Sequence, residues 1–212
     1  MSHPKESVPI TFTDLLRGFF KSTLETVAGF VNRLGVSPNM ITFAGLFGNL
    51  TAGILIATGR LFWGGLIALI VGPLDALDGV LARLRNESCE FGAFLDSVTD
   101  RYSEMALFGG LLVFFSISGE WHDLILTFIA AIGSLMVSYT RARSESLGYP
   151  VKIGILTRAE RYIVMIPGII LGYPRVSLWI VAILANFTGL QRILFVQSRM
   201  REAKTNILKE KE

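Results

Sequence analysis

Four aspartates fall in one stretch, DALDGVLARLRNESCEFGAFLDSVTD, which runs from Asp75 to Asp100. Asp75 and Asp78 are three residues apart, and Asp96 and Asp100 are four apart. On a helix, residues three and four apart share a face. Each pair therefore projects from one side of its own helix. A short linker containing Arg85, Asn86, Glu87, Ser88 and Cys89 joins the two helices. The spacing predicts antiparallel neighbours with all four carboxylates converging.

Four adjacent carboxylates cannot all remain ionised without compensation. Two divalent cations would balance them, and hard oxygen ligands suit Mg²⁺ or Mn²⁺. A pair of such ions is a recurring device for phosphoryl transfer. Gly79 and Gly92 leave room for backbone or ligand to approach, and Arg83 offers a planar fork to a phosphate. The alternative use of the aspartates is structural pairing with Arg83 and Arg101. Four of them on converging helices would be a costly way to hold a bundle together.

The surrounding chain explains why the cost is high. Of its 212 residues, 51% are hydrophobic and 17% charged, and the mean hydropathy is +0.54. That is the profile of a polytopic membrane protein. About 20 apolar residues span a bilayer. Segments 39–58, 61–82, 92–117, 123–140, 159–172 and 176–197 read as six spans, the fifth short and the second and third carrying the aspartates. Ser37-Pro38 marks the start of the first. Ahead of them, Phe12, Leu15, Leu16, Phe19, Phe20, Leu24, Val27, Ala28 and Val31 form an apolar stripe at helical spacing. With Arg17, Lys21 and Arg33 beside it, residues 11–33 read as an amphipathic helix on the membrane surface. Packing against the rest of the protein is the other use for such a stripe.

The expected fold is thus an all-α integral membrane protein with six transmembrane helices and an N-terminal interfacial helix. It divides into a juxtamembrane helix in 1–35, a membrane domain in 36–198 and a solvated tail in 199–212. No compact signal-peptide pattern opens the chain. Of 20 Lys and Arg residues, only Arg60 and Arg175 fall on the side away from the termini. The positive-inside rule then places both termini and the aspartates at the cytoplasmic face of the cell membrane. The single cysteine, Cys89, excludes an intramolecular disulfide, and His3 and His122 lie in a terminus and a loop. No nucleic-acid-binding module is present.

The aspartate string resembles the signature of the CDP-alcohol phosphotransferases, D-x2-D-G-x2-A-R-x8-G-x3-D-x3-D, at every fixed position. The resemblance covers roughly 36–198. It implies an enzyme that moves a substituted phosphate from a CDP-linked lipid donor to an alcohol and releases CMP. It makes Asp75, Asp78, Asp96 and Asp100 the ligands of two divalent cations, Mg²⁺ or Mn²⁺, with Asp100 also the general base. The CDP moiety would lie against Gly79, Ala82, Arg83 and the start of the first span, Asn39, Met40, Ile41 and Thr42. Cys89 stands where the family often has a serine or threonine touching the donor. A homodimer surrounded by membrane lipids is implied as well.

A second polar set bears on the acceptor. Arg141 and Arg143 end the fourth span, Arg158 and Arg161 begin the fifth, and Arg192 lies within the sixth. Two readings are open for Arg143 and Arg158: cytoplasmic anchors, or cations facing a cavity. Several guanidinium groups around a cavity suit a phosphorylated acceptor. The segments SYTRARSES, GILTRAER and TGLQR resemble the phosphatidylinositol phosphate synthase branch, in which Arg141, Arg161 and Arg192 would bind the phosphate of inositol phosphate. Arg141 stands in place of the branch's usual lysine, and Thr157 in place of a glutamate. Glycerol 3-phosphate, another phosphorylated polyol, fits the same arginines. A divalent-metal transporter would use the aspartates, but not the fixed glycines and arginines, and the chain lacks the paired repeats of such folds.

Overall fold

The computed structural model describes residues 12–209 apart from 86, 88 and 152, and the side chains of 12–21 and 206–209 are not described. Eight helices make up the described chain: α1 (Phe12–Arg33), α2 (Pro38–Ala57), α3 (Leu61–Val71), α4 (Leu74–Leu84), α5 (Glu90–Ile117), α6 (Trp121–Ser146), α7 (Arg158–Ile170) and α8 (Pro174–Lys209). Among the described residues, four stretches are long and apolar enough to cross a membrane: Pro38–Ala57, Leu61–Leu84, Trp121–Ser146 and Pro174–Thr205. Against the six predicted spans, α5 has the length but carries Asp96, Asp100, Arg101 and Glu104, and α7 has only 13 residues. Large apolar side chains such as Phe47, Ile54, Trp63, Ile70, Phe128 and Ile183 face outward. An aqueous surface would not carry so many. The chain is an all-helical membrane protein.

The predicted helix over 61–82 is two helices. Pro73 supplies no amide hydrogen, and its ring clashes with the preceding turn. The chain therefore breaks at Gly72-Pro73 and restarts as α4, with Asp75 in its first turn. By contrast, α2 begins where Ser37-Pro38 predicts. Ser37 Oγ accepts from the Met40 amide at 3.3 Å, and Pro38 occupies the first turn, where no amide hydrogen is needed.

The two aspartate helices are not packed along each other, as their short linker predicts. Each packs instead on α2. Close packing of α5 on α2 depends on Gly53 and Gly110. A Cβ on Gly53 would collide with the Ala106 carbonyl, and one on Gly110 with the Gly53 carbonyl. Backbone therefore lies against backbone, and α5 is brought to the depth at which its carboxylates meet those of α4. The main core runs through α2, α3 and α5–α8 around Ile56, Phe108, Leu111, Ile166 and Leu178. A smaller cluster of Ala28, Ile41, Leu77 and Leu81 seats α1 on α4 and the start of α2. Within the predicted stripe of α1, Ala28 is fully buried while Val27 faces outward, as does Phe30 beside the stripe. The part formed by Phe12, Leu15, Leu16, Phe19 and Phe20 lies outside the described side chains.

On the side away from the aspartates, Arg175 at the start of α8 pairs with Glu120 and, at 2.7 Å, with Asp123. One of the two predicted opposite-side cations, Arg175, is thus neutralised by the α5–α6 turn and the first turn of α6.

Candidate active site

Between α2, α4, α5 and α7 lies a polar cleft lined by Thr42, Asn49, Asp75, Asp78, Asp100 and Arg158. One oxygen each from Asp75, Asp96 and Asp100 lies within 4.8 Å of the others. Asp78 is outside that trio. It is buried, and Thr42 Oγ1 donates to its Oδ2 at 2.6 Å, which ties α4 to the start of α2. The charges of Asp96 and Asp75 still reach it. Three converging carboxylates with a fourth alongside form an all-oxygen donor set of the kind hard divalent cations take. The residues present fit that group.

The remaining residues expected to touch a nucleotide border the same cleft or its rim. Asn39 and Met40 are exposed in the first turn of α2, while Ile41 is buried beside Thr42. Gly79 is open: the nearest atom to a Cβ there would be Arg83 Nη1, at 3.6 Å. Arg83 is exposed and Ala82 half-buried one turn further along α4. Cys89 caps α5, its Sγ accepting from the Gly92 amide at 3.3 Å. Sulfur is a weak acceptor. Cys89→Ser is therefore expected to raise stability by up to about 1 kcal/mol. A thermal unfolding midpoint at or below that of the unmodified protein would contradict this.

Two charged positions that the structure places at these clusters are not singled out by the sequence. The first is Arg158, for which an anchoring role and a cavity role were both open. Its Nη1 bridges Asp75 Oδ2 at 2.7 Å and Asp100 Oδ2 at 2.6 Å. Arg101, one of the two pairing partners that the sequence offers the aspartates, is 3.9 Å from Asp100 and donates instead to the Ser97 carbonyl. The second is Glu104. It accepts from Arg161 Nε at 2.7 Å and Nη2 at 3.0 Å, and from Ser134 Oγ at 2.5 Å. Glu104 is four residues after Asp100, so the face carrying Asp96 and Asp100 continues to it. That spacing is the signal that could have found it.

The three arginines expected to hold an acceptor phosphate occupy one region but differ in freedom. Arg161 is only 1% exposed, held by Glu104 and donating to the Leu156 carbonyl at 3.2 Å. Arg192 is also buried, donating to the carbonyls of Ile153 and Val137 at 2.9 and 2.5 Å. The charges of Arg141 and Arg161 both act on Arg192. Arg141 is exposed and pairs with Glu145 at 2.9 Å. The α6–α7 connection is pinned to this region, with the Ile155 amide donating to Thr188 Oγ1 at 3.3 Å. Gly154, at φ +140°, passes so close to Thr188 and Arg192 that a side chain there would clash. Thr157, the departure from the resembled branch, is the N-cap of α7 and forms a capping box with Glu160.

A profile of the CDP-alcohol phosphatidyltransferases matches residues 35–191. The chain belongs to this family. Among its relatives, a phosphatidylinositol phosphate synthase of Streptomyces avermitilis is 36% identical, over 88% of this chain and 83% of its own. An archaetidylinositol phosphate synthase of Methanothermobacter thermautotrophicus is 34% identical, over 80% of this chain and 88% of its own. The fold matches the phosphatidylinositol phosphate synthase of Mycobacterium tuberculosis, at 29% identity. A crystal structure of that enzyme with CDP-DAG bound gives a TM-score of 0.76 over 82% of this chain and 92% of that one. Another, in complex with manganese and citrate, gives 0.77 over 82% and 88%. The chain is therefore an enzyme of CDP-alcohol phosphatidyl transfer.

Proposed function

We propose that this enzyme transfers the phosphatidyl-type group of a CDP-linked lipid to a hydroxyl of inositol phosphate, with release of CMP. The observation that carries the reading is the pairing of two clusters through α7. Arg158 stands in the carboxylate cleft and Arg161, one turn on, stands in the arginine region. A nucleotide pyrophosphate and a phosphorylated alcohol would occupy these two sites. The named relatives support the choice of acceptor.

Asp75, Asp78, Asp96 and Asp100 would hold two divalent cations, Mg²⁺ or Mn²⁺, which when bound neutralise the carboxylates and polarise the pyrophosphate. The cytidine end would lie along Gly79, Ala82, Arg83 and the first turn of α2 from Asn39 to Thr42, with Cys89 at the rim. Arg141, Arg161 and Arg192 would fix the acceptor phosphate. Arg161, held by Glu104 beneath the surface, would have to be uncovered to reach that phosphate. Asp100 takes the proton from the attacking hydroxyl. The new bond forms between that oxygen and the lipid-bearing phosphorus, and the bond from that phosphorus to the CMP oxygen breaks. Orientation of both reactants beside a fixed base supplies much of the rate.

In this reading α5 and α7 also cross the bilayer, which makes six spans from α2 to α8, with α3 and α4 forming one of them. Their polar residues face the cleft, where the cost of burying charge is met by partners. α1 lies at the interface, the end of α8 forms the cytoplasmic tail, and the cleft opens to the cytoplasm of a homodimeric, multi-pass cell-membrane enzyme.

The test is CMP release by purified protein in detergent with CDP-diacylglycerol and Mg²⁺, offered inositol phosphate, glycerol 3-phosphate, free inositol or serine separately. Inositol phosphate is expected to support turnover and free inositol is not. Turnover with glycerol 3-phosphate alone would overturn the acceptor assignment and retain the reaction class.

A further inference from the structure

The two arginines on α7 are held very differently. Arg161 is sealed by Glu104, Ser138 and the Leu156 carbonyl. Arg158 is 26% exposed on its side chain and is held by the two carboxylates that it bridges. Its Nη1 lies between Asp75 Oδ2 and Asp100 Oδ2, in contact with both. A divalent ion shared by those oxygens needs the same space. At 2.7 and 2.6 Å from those oxygens, the guanidinium nitrogen already fills the position from which an ion would ligate both, so the two exclude each other there.

We infer that Arg158 is the resident counter-ion of the carboxylate cleft, and that a divalent cation binds by displacing its guanidinium from Asp75 and Asp100. This rests on the reading of the aspartates as the cation site. The backbone beneath Arg158 is held by the Thr157–Glu160 capping box and, one turn on, by the Arg161–Glu104 pair. The exchange is therefore a swing of one long side chain, and its partial exposure leaves it a path. Until the exchange, the arginine neutralises part of the cleft and keeps α4, α5 and α7 together. It thereby also competes with the ion.

Manganese binding to the purified protein without nucleotide lipid, followed by the electron paramagnetic resonance signal of the free ion, tests this. Arg158→Gln is expected to bind Mn²⁺ at least about tenfold more tightly than the unmodified protein, the competing charge being gone. Arg158→Lys should tighten binding by less. Arg143→Gln, which alters an exposed arginine at the end of α6, should leave it unchanged. Affinity of Arg158→Gln equal to or weaker than that of the unmodified protein would overturn the inference. If Arg158→Gln fails to fold, Arg158→Lys decides, and no tightening there overturns it. Asp100→Asn separates the two claims. If it binds Mn²⁺ as well as the unmodified protein does, the cation-site reading itself fails; if it binds more weakly while Arg158→Gln does not tighten, only the displacement fails.

Discussion

Replacing Glu104 by alanine is expected to cost about 3–5 kcal/mol of stability, the usual consequence of removing one partner from a buried ion pair. Arg161 is 1% exposed and donates two charge-assisted hydrogen bonds to this one carboxylate. Without it the guanidinium would lose the carboxylate it is paired with and would sit near Arg192, which already feels its charge. Ser134 would lose its acceptor as well. Glu104→Gln keeps the size and one acceptor oxygen but loses the charge, so it should fall between alanine and the unmodified protein. The double change Glu104→Leu with Arg161→Met should recover much of the stability, because it removes both charges and fills the space. If the pair only held the bundle together, that double variant would recover turnover too. If Arg161 serves the acceptor, it will be stable and inactive. Thermal unfolding in detergent and CMP release, measured on the same three proteins, distinguish these cases. A Glu104→Ala protein within about 1 kcal/mol of the unmodified one would show that the charge of Arg161 is satisfied by other means.

Much of the site could be read from the chain because its spacing is local. Three- and four-residue separations put Asp75 with Asp78 and Asp96 with Asp100 whatever the tertiary fold. The start of α2 was equally readable, since a serine followed by proline is a helix-start signal with its own hydrogen bond. The features missed depend on how helices meet. Hydropathy joined 61–82 into one segment because the residues on both sides of Gly72-Pro73 are apolar, and an average over apolar residues is insensitive to a missing amide hydrogen. The short linker suggested that α4 and α5 are neighbours. The glycine contact at Gly53 and Gly110 instead lets α2 take α5, and linker length carries no information about that competition.

The arginines show the same limit in another form. Composition and position identified Arg141, Arg158, Arg161 and Arg192 as cations near one end of the bundle. Which anion each meets is decided by the facing helix. Asp100 and Glu104, four apart on α5, meet Arg158 and Arg161, three apart on α7. The match is between two helices far apart in sequence. Only the partner's spacing, not the arginine's own surroundings, shows that one arginine is sealed and the other is half-open.

Asp100→Asn is expected to abolish turnover while leaving the protein folded and able to take up the CDP-linked lipid. Asparagine fills the same volume, and Arg158 retains Asp75 as a partner. Asn49, Thr42 and the first turn of α2 are untouched. An amide cannot accept the hydroxyl proton at neutral pH, so the loss of the base alone accounts for a fall of about 10²–10⁴ in kcat. The same substitution removes one anionic ligand from the cation cluster and adds to that loss. The combined effect should show as a collapse of CMP release with CDP-lipid affinity changed by only a few fold. Substrate binding can be followed by the shift of the unfolding midpoint on adding CDP-diacylglycerol with Mn²⁺. Turnover within tenfold of the unmodified enzyme would remove Asp100 from the role of base. The candidates left would be Asp75 and Asp96, whose carboxylates share the cluster. A loss of the CDP-lipid shift together with turnover would instead mean that Asp100 serves the cleft chiefly by holding the donor in place.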